Sequence, residues 1–129
     1  MFNTEISQPF IVRSLSQVST SYVAGTAFSM DAHNAIGLEI IYAKGTETSL
    51  EVKLEVSNDG GMTYAQQAAE STSGGTITCS LAERTITSTG TYSVLVQPVR
   101  ARLARVSTKA TYGTVSTGSC TIKAYPLWV

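Results

Sequence analysis

The stretch SLEVKLEVSNDGGMTY, residues 49–64, decides the fold of this chain. Its first half alternates apolar residues with polar ones: Leu50, Val52, Leu54 and Val56 against Glu51, Lys53, Glu55 and Ser57. A period of two predicts a β-strand with one buried side and one side in water. The strand ends at Asn58-Asp59-Gly60-Gly61, residue types that favour a tight turn. We therefore predict a β-hairpin in which the residues from Tyr64 onward return beside this strand.

The rest of the chain also has the pattern of short strands separated by turns. Further strands are predicted at residues 11–15, 22–23, 27–30, 35–43, 64–70, 76–81, 84–87, 92–97, 101–111 and 119–125. Residues 1–9 are expected to form an extended arm, and residues 126–129 an apolar tail. This pattern predicts an all-β protein with one domain over residues 1–129, an antiparallel β-sandwich or jelly roll.

The charge composition indicates which classes of partner to expect. The chain of 129 residues has nine basic and nine acidic side chains, so its formal net charge is zero. Nucleic acids and anionic membrane surfaces are recognised by basic surfaces, and neither partner is expected here. A neutral surface with few charges favours association with other proteins. The composition therefore fits either an ordinary neutral domain or a protein that works packed against neighbours.

The cysteines and the N-terminal segment bear on where the protein is made. Cys79 and Cys120 lie in alternating apolar runs, so both side chains are predicted to point inward. Two reduced, buried thiols are favoured, and a disulfide between packed strands stays open as the alternative. The start MFNTEISQPF has neither a basic segment nor a long apolar run. We therefore expect synthesis in the cytoplasm without a signal peptide or a membrane-spanning helix.

No residue set has the spacing of a catalytic or metal site. His33 is the sole histidine, and the sequence has no G-x-S-x-G nucleophile motif. Glu51 and Glu55 share one face of their strand, and Glu39 is a candidate to lie opposite them. However, Lys53 between the two glutamates favours a solvated, charge-balanced face over a pair of catalytic carboxylates. We expect no enzymatic activity, no cofactor and no metal.

Two groups of residues are candidates for contacts with other subunits. Arg100, Arg102 and Arg105, with Lys109, form a basic cluster that either protects a strand edge or binds carboxylates of a neighbour. Large apolar side chains also lie on the two short terminal segments; they are Phe2, Ile6, Leu127 and Trp128. Such side chains gain stability when they are buried. We expect at least one end to dock on a neighbouring subunit, which gives either a homo-oligomer, with a trimer favoured, or a clasp bound to the capsid. Folding back of both ends onto the same domain is the alternative.

The hairpin turn resembles a known motif. Residues 57–64, SNDGGMTY, resemble the Asp-box, S-x-D-x-G-x-T-W, with tyrosine in place of tryptophan. The residues that carry the resemblance are Ser57, Asp59, Gly61, Thr63 and Tyr64. In sialidases and other β-proteins this motif is structural. The resemblance implies that Asp59 and Thr63 brace the turn and that Tyr64 seals the core beneath it.

A second resemblance covers the hairpin and the C-terminal strands. The VSNDGG turn, YSVLVQPVRARLARVS (92–107) and GSCTIKAYPLW (118–128) are similar to segments of small β-sandwich structural proteins of tailed-phage virions. This resemblance implies a non-enzymatic virion protein, with a capsid cement or decoration protein favoured. Its partners would be its own copies and a major capsid protein. The alternatives are a neck, tail or baseplate component, or a carbohydrate-binding adhesion domain with Tyr112 or Trp128 as its exposed aromatic ring.

Overall fold

A computed structural model describes the backbone of residues 10–17, 21–73, 76–81, 83–111 and 117–128. Side chains are described for residues 21–67, 83–111 and 117–128. The described residues form strands β1 (Phe10–Gln17), β2 (Val23–Ala24), β3 (Phe28–Ser29), β4 (Ala35–Ala43), β5 (Ser49–Ser57), β6 (Ala65–Gln66), β7 (Ala68–Ser73), β8 (Thr76–Leu81), β9 (Glu83–Ile86), β10 (Gly90–Val96), β11 (Leu103–Thr111) and β12 (Ser119–Leu127). In this part of the chain, no helix is long and apolar enough to cross a bilayer.

The strands pack as two antiparallel sheets, which confirms the predicted all-β sandwich. The first sheet has the strand order β1-β12-β4-β10. The second has the order β2-β11-β5-β6, with β3 also paired to β11 and β9 also paired to β5. Strands β7 and β8 form a separate two-stranded sheet.

The core lies between the two sheets and follows from the alternating pattern. The inward side chains of the four long central strands are fully or almost fully buried; they are Ile36, Leu38, Ile40, Tyr42, Leu50, Val52, Leu54, Ala104, Val106, Ala110, Cys120, Ile122 and Ala124. Each large apolar side chain buried in this way contributes roughly 1.5–3 kcal/mol. Cys120 is thus a buried thiol, whereas the side chain of Cys79 lies outside the described residues.

The predicted hairpin forms, but its return strand is much shorter than residues 64–70. Pairing between β5 and β6 comprises the two register pairs Glu55–Gln66 and Val56–Ala65. The chain then leaves β5, forms the β7–β8 hairpin, and returns to β5 as β9. Residues 65–70, AQQAAE, lack the apolar alternation that holds a strand in register against a buried face. The expected continuous edge strand is therefore wrong.

The polar face of β5 is not in water as predicted. The residue Glu51 is 8% exposed, and Ser57 is also buried. The side chain of Tyr22 covers part of this face, with Lys53 Nζ 3.9 Å from its ring centroid. The hydroxyls of Ser49 and Thr111 donate hydrogen bonds to Glu51 Oε1. Glu39 is not opposite these glutamates, because it belongs to the first sheet, where its carboxylate lies 3.7 Å from Lys123 Nζ.

The predicted apolar tail is also shorter than expected. Pro126 is buried and Leu127 pairs with Ala35, so both belong to β12 and not to a tail. Pairing with β1 ends at Ala124, but pairing with β4 continues to Leu127, and this extends β12 beyond the predicted Tyr125.

One end of the sandwich is tied together by a buried carboxylate. Glu47, in the turn between β4 and β5, accepts hydrogen bonds from the Tyr42 hydroxyl and from the backbone N–H groups of Gly45 and Gly118, both at 2.9 Å. Burial raises the pKa of this carboxyl, but these hydrogen bonds outweigh burial and lower the pKa to about 2. The ionised side chain thus joins the β4–β5 turn to the start of β12.

Candidate interaction surface

The opposite end of the sandwich holds most of the residues singled out in the sequence. We call it the hairpin end: β5, β10 and β12 finish there, and β4 and β11 begin there. The connection from β10 to β11 crosses this end and joins the sheets. Val99 N–H donates to Asn34 O at 2.8 Å, and Arg102 N–H donates to Asn58 Oδ1 at 3.0 Å. These two hydrogen bonds fix the connection to the starts and ends of the neighbouring strands.

The turn at this end is organised by Asp59. One carboxylate oxygen accepts hydrogen bonds from the Ser57 hydroxyl at 2.7 Å and from Thr63 N–H at 3.0 Å. The other accepts from the Thr63 hydroxyl. Gly60 and Gly61 have φ angles of 76° and 90°, a region that side chains disfavour. Side-chain hydrogen bonds therefore hold the turn, and its two central positions have backbone angles that favour glycine.

Replacing Asp59 by Ala is expected to lower the thermal midpoint of the protein, because the Thr63 and Ser57 donors lose their acceptor. These bonds from Thr63 and Ser57 lower the pKa of Asp59 to about 2. Ionised Asp59 thus supports the turn above its ordinary pKa, and this support is lost as the pH falls towards 2. Differential scanning calorimetry from pH 7 to pH 2 measures both effects. Asp31→Ala, in another exposed turn, is the matched control, and equal midpoints for the two variants would contradict the assignment.

Tyr64 does not seal the core as the Asp-box resemblance implies. Its ring is half-buried on the outer face of the second sheet, where the Arg105 guanidinium stacks on it with Cζ 3.8 Å from the ring centroid. Tyr64 therefore shields a charged face and leaves the core to the strands themselves.

Exposed apolar side chains gather at the hairpin end. Met62, in the turn, is 86% exposed, and Trp128, after β12, is 74% exposed. Leu95, near the end of β10, is 50% exposed, and Leu127 is also exposed. Leu95 is the cross-strand neighbour of Gly37, and Leu127 Cδ1 would lie 3.5 Å from a Cβ at this glycine. The missing side chain of Gly37 thus opens a shallow apolar depression on the outer face of the first sheet.

The structure divides the predicted basic cluster. Arg100 and Arg102 are exposed on the connection that crosses the hairpin end. Arg105 is instead held within the chain: its Nε donates to Glu55 Oε1 at 3.1 Å, and its guanidinium covers Tyr64. The other predicted contact residues, Phe2 and Ile6, lie outside the described residues. The hairpin end therefore brings together Arg100, Arg102, Leu127 and Trp128, and not Arg105.

The outer face of the second sheet is a closed network of charges. Its three basic and three acidic side chains are Lys53, Arg105, Lys109, Glu51, Glu55 and Glu83. The register places Arg105 opposite Glu55, Lys109 opposite Glu51, and Lys53 opposite Glu83. Burial raises the pKa of Glu55, but bonds from Ser107 and Arg105 outweigh it and lower the pKa. These charges balance, so the face has no surplus charge to attract an ionic partner.

Tyr22 covers the middle of this network. Lys53 Nζ lies 3.9 Å and Lys109 Nζ 4.8 Å from the centroid of its ring. Its hydroxyl donates to Glu83 Oε1 at 2.6 Å. Burial, together with the bond to Glu83, raises the pKa of Tyr22 well above its ordinary value. The ring and its hydroxyl thus fix the cations and Glu83 in place, which indicates a structural role for this face.

The described side chains contain no candidate metal site. No group of three or more His, Cys, Asp and Glu among them has the geometry to hold a metal ion. The ring of His33 is within 2.6 Å of Asp31 O, in its own turn. An open groove of about 640 Å³ lies between β9 and β10, and its lining has hydroxyl and apolar side chains with Arg84 as the charged member. The hairpin end, with its exposed apolar side chains, is the candidate surface for contacts with other proteins.

Sequence reasoning missed two members of the apolar surface, Met62 and Leu95. Met62 occupies a variable position of the turn motif and was not singled out from the sequence. A large apolar residue at such a position is itself a signal that could have identified it. Leu95 follows the strand alternation with Ser93 and Thr91, and this pattern puts it on the outer face. Its cross-strand neighbour Gly37 is 58 residues away in the sequence, so only the sheet register brings the two together.

Comparisons with known proteins add one structural likeness. No protein-family model matches the chain, and no curated protein does either. Among solved structures, the SPBc2 prophage-derived protein YomS aligns with 95% of this chain and 96% of its own, with a TM-score of 0.44 and 18% sequence identity. A likeness at this level carries no information on function.

Proposed function

We propose that this chain is a non-enzymatic structural protein of a tailed-phage virion, and specifically a cement or decoration protein that binds the major capsid protein through its hairpin end. The observation that carries the proposal is the gathering of Met62, Leu95, Leu127 and Trp128 at that end, beside Arg100 and Arg102. Aromatic residues, methionine and arginine are the types enriched at protein interfaces.

The chemistry of this surface indicates its partner. Trp128 is large and exposed, so its burial on binding would supply much of the affinity. The exposed guanidinium of Arg102 can make paired hydrogen bonds to a carboxylate at the rim of the contact. A protein surface with an apolar hollow surrounded by acidic residues therefore matches the hairpin end. The balanced charge of the second sheet leaves no comparable feature there.

The resemblance of the hairpin and the C-terminal strands to phage structural proteins supports the class. The neutral composition supports a protein that works in a packed particle, since low net charge favours association. The capsid position is a more specific proposal than the virion class, and neck, tail and baseplate positions are the alternatives to the capsid surface. The protein would be made in the host cytoplasm and recovered with the virion.

Mass spectrometry of purified virions tests the class. We expect the chain at a fixed, stoichiometric copy number relative to the major capsid protein, and a density map of the particle should place it on the outer capsid surface. Absence from washed virions would overturn the class. Presence in the neck, tail or baseplate would retain the class and overturn the cement role.

Trp128→Ala is expected to weaken docking by about 30-fold, the loss typical of a central aromatic anchor. Virions stripped of this protein are mixed with purified variants, and occupancy is measured against concentration. Val23→Ala is the matched control, because Val23 is also an exposed apolar residue, 44% exposed, but lies on β2 away from the hairpin end. Equal loss in both variants, or none in either, would mean that the hairpin end is not the docking surface.

A carbohydrate-binding adhesion domain is the second candidate, and the exposed ring of Trp128 is the observation that favours it. Sugar rings stack on such aromatic faces. A glycan array with wild type and Trp128→Ala separates the two functions. Binding to a defined glycan that the variant loses would favour adhesion, whereas no binder on the array would remove it.

A further inference from the structure

The outer edges of the two sheets are protected against pairing with other chains, with one exception among the described strands. In the first sheet, β1 has register shifts between Ile11 and Arg13 and again between Arg13 and Ser16. In the second sheet, β2, β3 and β6 have two residues each. Strand β9 is short and exposes Glu83 and Arg84. Irregular register, short length and charge are the usual means by which edge strands avoid association.

Strand β10 has none of these protections. It is seven residues long, GTYSVLV, without a charged residue or a proline. It pairs with β4 at seven successive positions, from Gly90–Tyr42 to Val96–Ile36, without a register shift. Its other edge pairs with no strand of the described residues. A regular, apolar and uncharged edge of this length is a template for a further strand.

The side chains of β10 are also incompletely covered. Tyr92, Val94 and Val96 point inward and pack against the core but remain half-buried, whereas their neighbours in β4 are buried. The groove of about 640 Å³ runs along this strand, between β10 and β9. On the outer face, Leu95 is exposed. A strand added to this edge would cover both rows of side chains.

We propose that β10 pairs antiparallel with β10 of a second copy of this chain, centred on Ser93. Ser93 is the middle residue of the strand, so this register pairs all seven residues. It sets Tyr92 opposite Val94 of the second copy, and Thr91 opposite Leu95. Aromatic and β-branched residues form favourable cross-strand pairs, and no like charges meet. The edge is therefore complementary to itself, which is what a two-fold contact requires.

The pairing joins the first sheets of two copies into one continuous sheet of eight strands, since each copy contributes four. An antiparallel edge contact is two-fold and closed, because each β10 has one open edge to use. The assembly expected from this edge is a dimer and not the trimer expected from the terminal segments. The inference does not rest on the proposed role in a virion.

Analytical ultracentrifugation of the full chain tests the pairing. Wild type is expected at twice the chain mass of 13.7 kDa. Ser93→Lys and Ser93→Glu each put like charges opposite one another on the two-fold axis, so the affinity of each variant for its own second copy should fall at least about tenfold and shift it to the monomer. An equimolar mixture of the two should restore the dimer, because lysine then faces glutamate.

The controls separate this edge from other surfaces. Thr121→Lys adds the same charge to the outer face of the first sheet, two strands from the edge, and should leave the dimer intact. Unchanged circular dichroism and thermal midpoint show that each variant is folded. A monomeric wild type, a Ser93→Lys dimer, or a mixture that stays monomeric would each overturn the proposal. None of these results affects the virion test, which depends on recovery with particles.

Discussion

Replacing Glu47 by Gln is expected to lower the free energy of unfolding by about 3 kcal/mol, a large loss for one isosteric change. The carboxylate accepts from the Tyr42 hydroxyl and from the N–H groups of Gly45 and Gly118. The NH₂ group of glutamine is a hydrogen-bond donor and would face other N–H or O–H donors. At least one buried polar group would then be left without a partner. Urea denaturation at pH 7 measures the difference.

The pH dependence of this difference identifies its cause. The pKa of Glu47 is about 2 in the folded protein, below the ordinary 4.5. Ionised Glu47 therefore stabilises the fold above about pH 4.5, and this stabilisation is lost as the pH falls from there towards 2. The difference in free energy of unfolding between wild type and Glu47→Gln should become smaller as the pH falls over that range. Glu39→Gln is the control, since it breaks a surface ion pair worth less than about 1 kcal/mol. A gap that is small, or constant with pH, would contradict the role given to Glu47.

Gly45→Ala is the second large effect, with an expected loss of about 3 kcal/mol. A Cβ on Gly45 would contact the Thr117 hydroxyl and lie 2.5 Å from Gly118 N and 2.6 Å from Thr117 C. Two of these atoms are backbone, so the start of β12 must move away from the β4–β5 turn. That movement would also stretch the hydrogen bonds of Glu47, since Gly45 and Gly118 are both donors to it. Thermal and urea unfolding measure the loss.

Gly60→Ala is the matched control for this substitution. Gly60 has a φ of 76°, but a Cβ there would meet no atom within 4 Å. The cost is therefore conformational alone, about 1 kcal/mol. If both alanine variants lose the same stability, close packing at Gly45 is not the reason that a glycine occupies that position.

The two ends of the sandwich thus differ in what holds them. At the end opposite the hairpin end, Glu47 and the closely packed glycines Gly45 and Gly118 join the β4–β5 turn to the start of β12. The hairpin end is braced internally by Asp59 and Asn58, yet its large apolar side chains face outward. Stability at one end and exposed anchors at the other are consistent with a rigid module that binds through the hairpin end.

The alternating pattern by itself determined the long strands, the sandwich and most of the core, but not the short return strand β6 or the end of β12. Leu50, Val52 and Leu54 are buried as the period of two predicts, because the pleat of a strand sends successive side chains to opposite faces. The Asn-Asp-Gly-Gly turn followed in the same way from local conformational preference. These features depend on neighbours in the sequence, and such neighbours are visible without a structure.

Tertiary structure alone decided where the polar residues went. Glu51 is buried, Arg105 is held by Glu55 and Tyr64, and Glu47 ties two loops. Each of the three has a hydrogen-bond partner 50 or more residues away, which no local pattern reveals. The hairpin end likewise depends on sheet register, which sets Leu95 beside Gly37 and brings the end of β12 to the start of β4. A period of two fixes which face a side chain occupies, but the partner across that face is chosen by strand order and register.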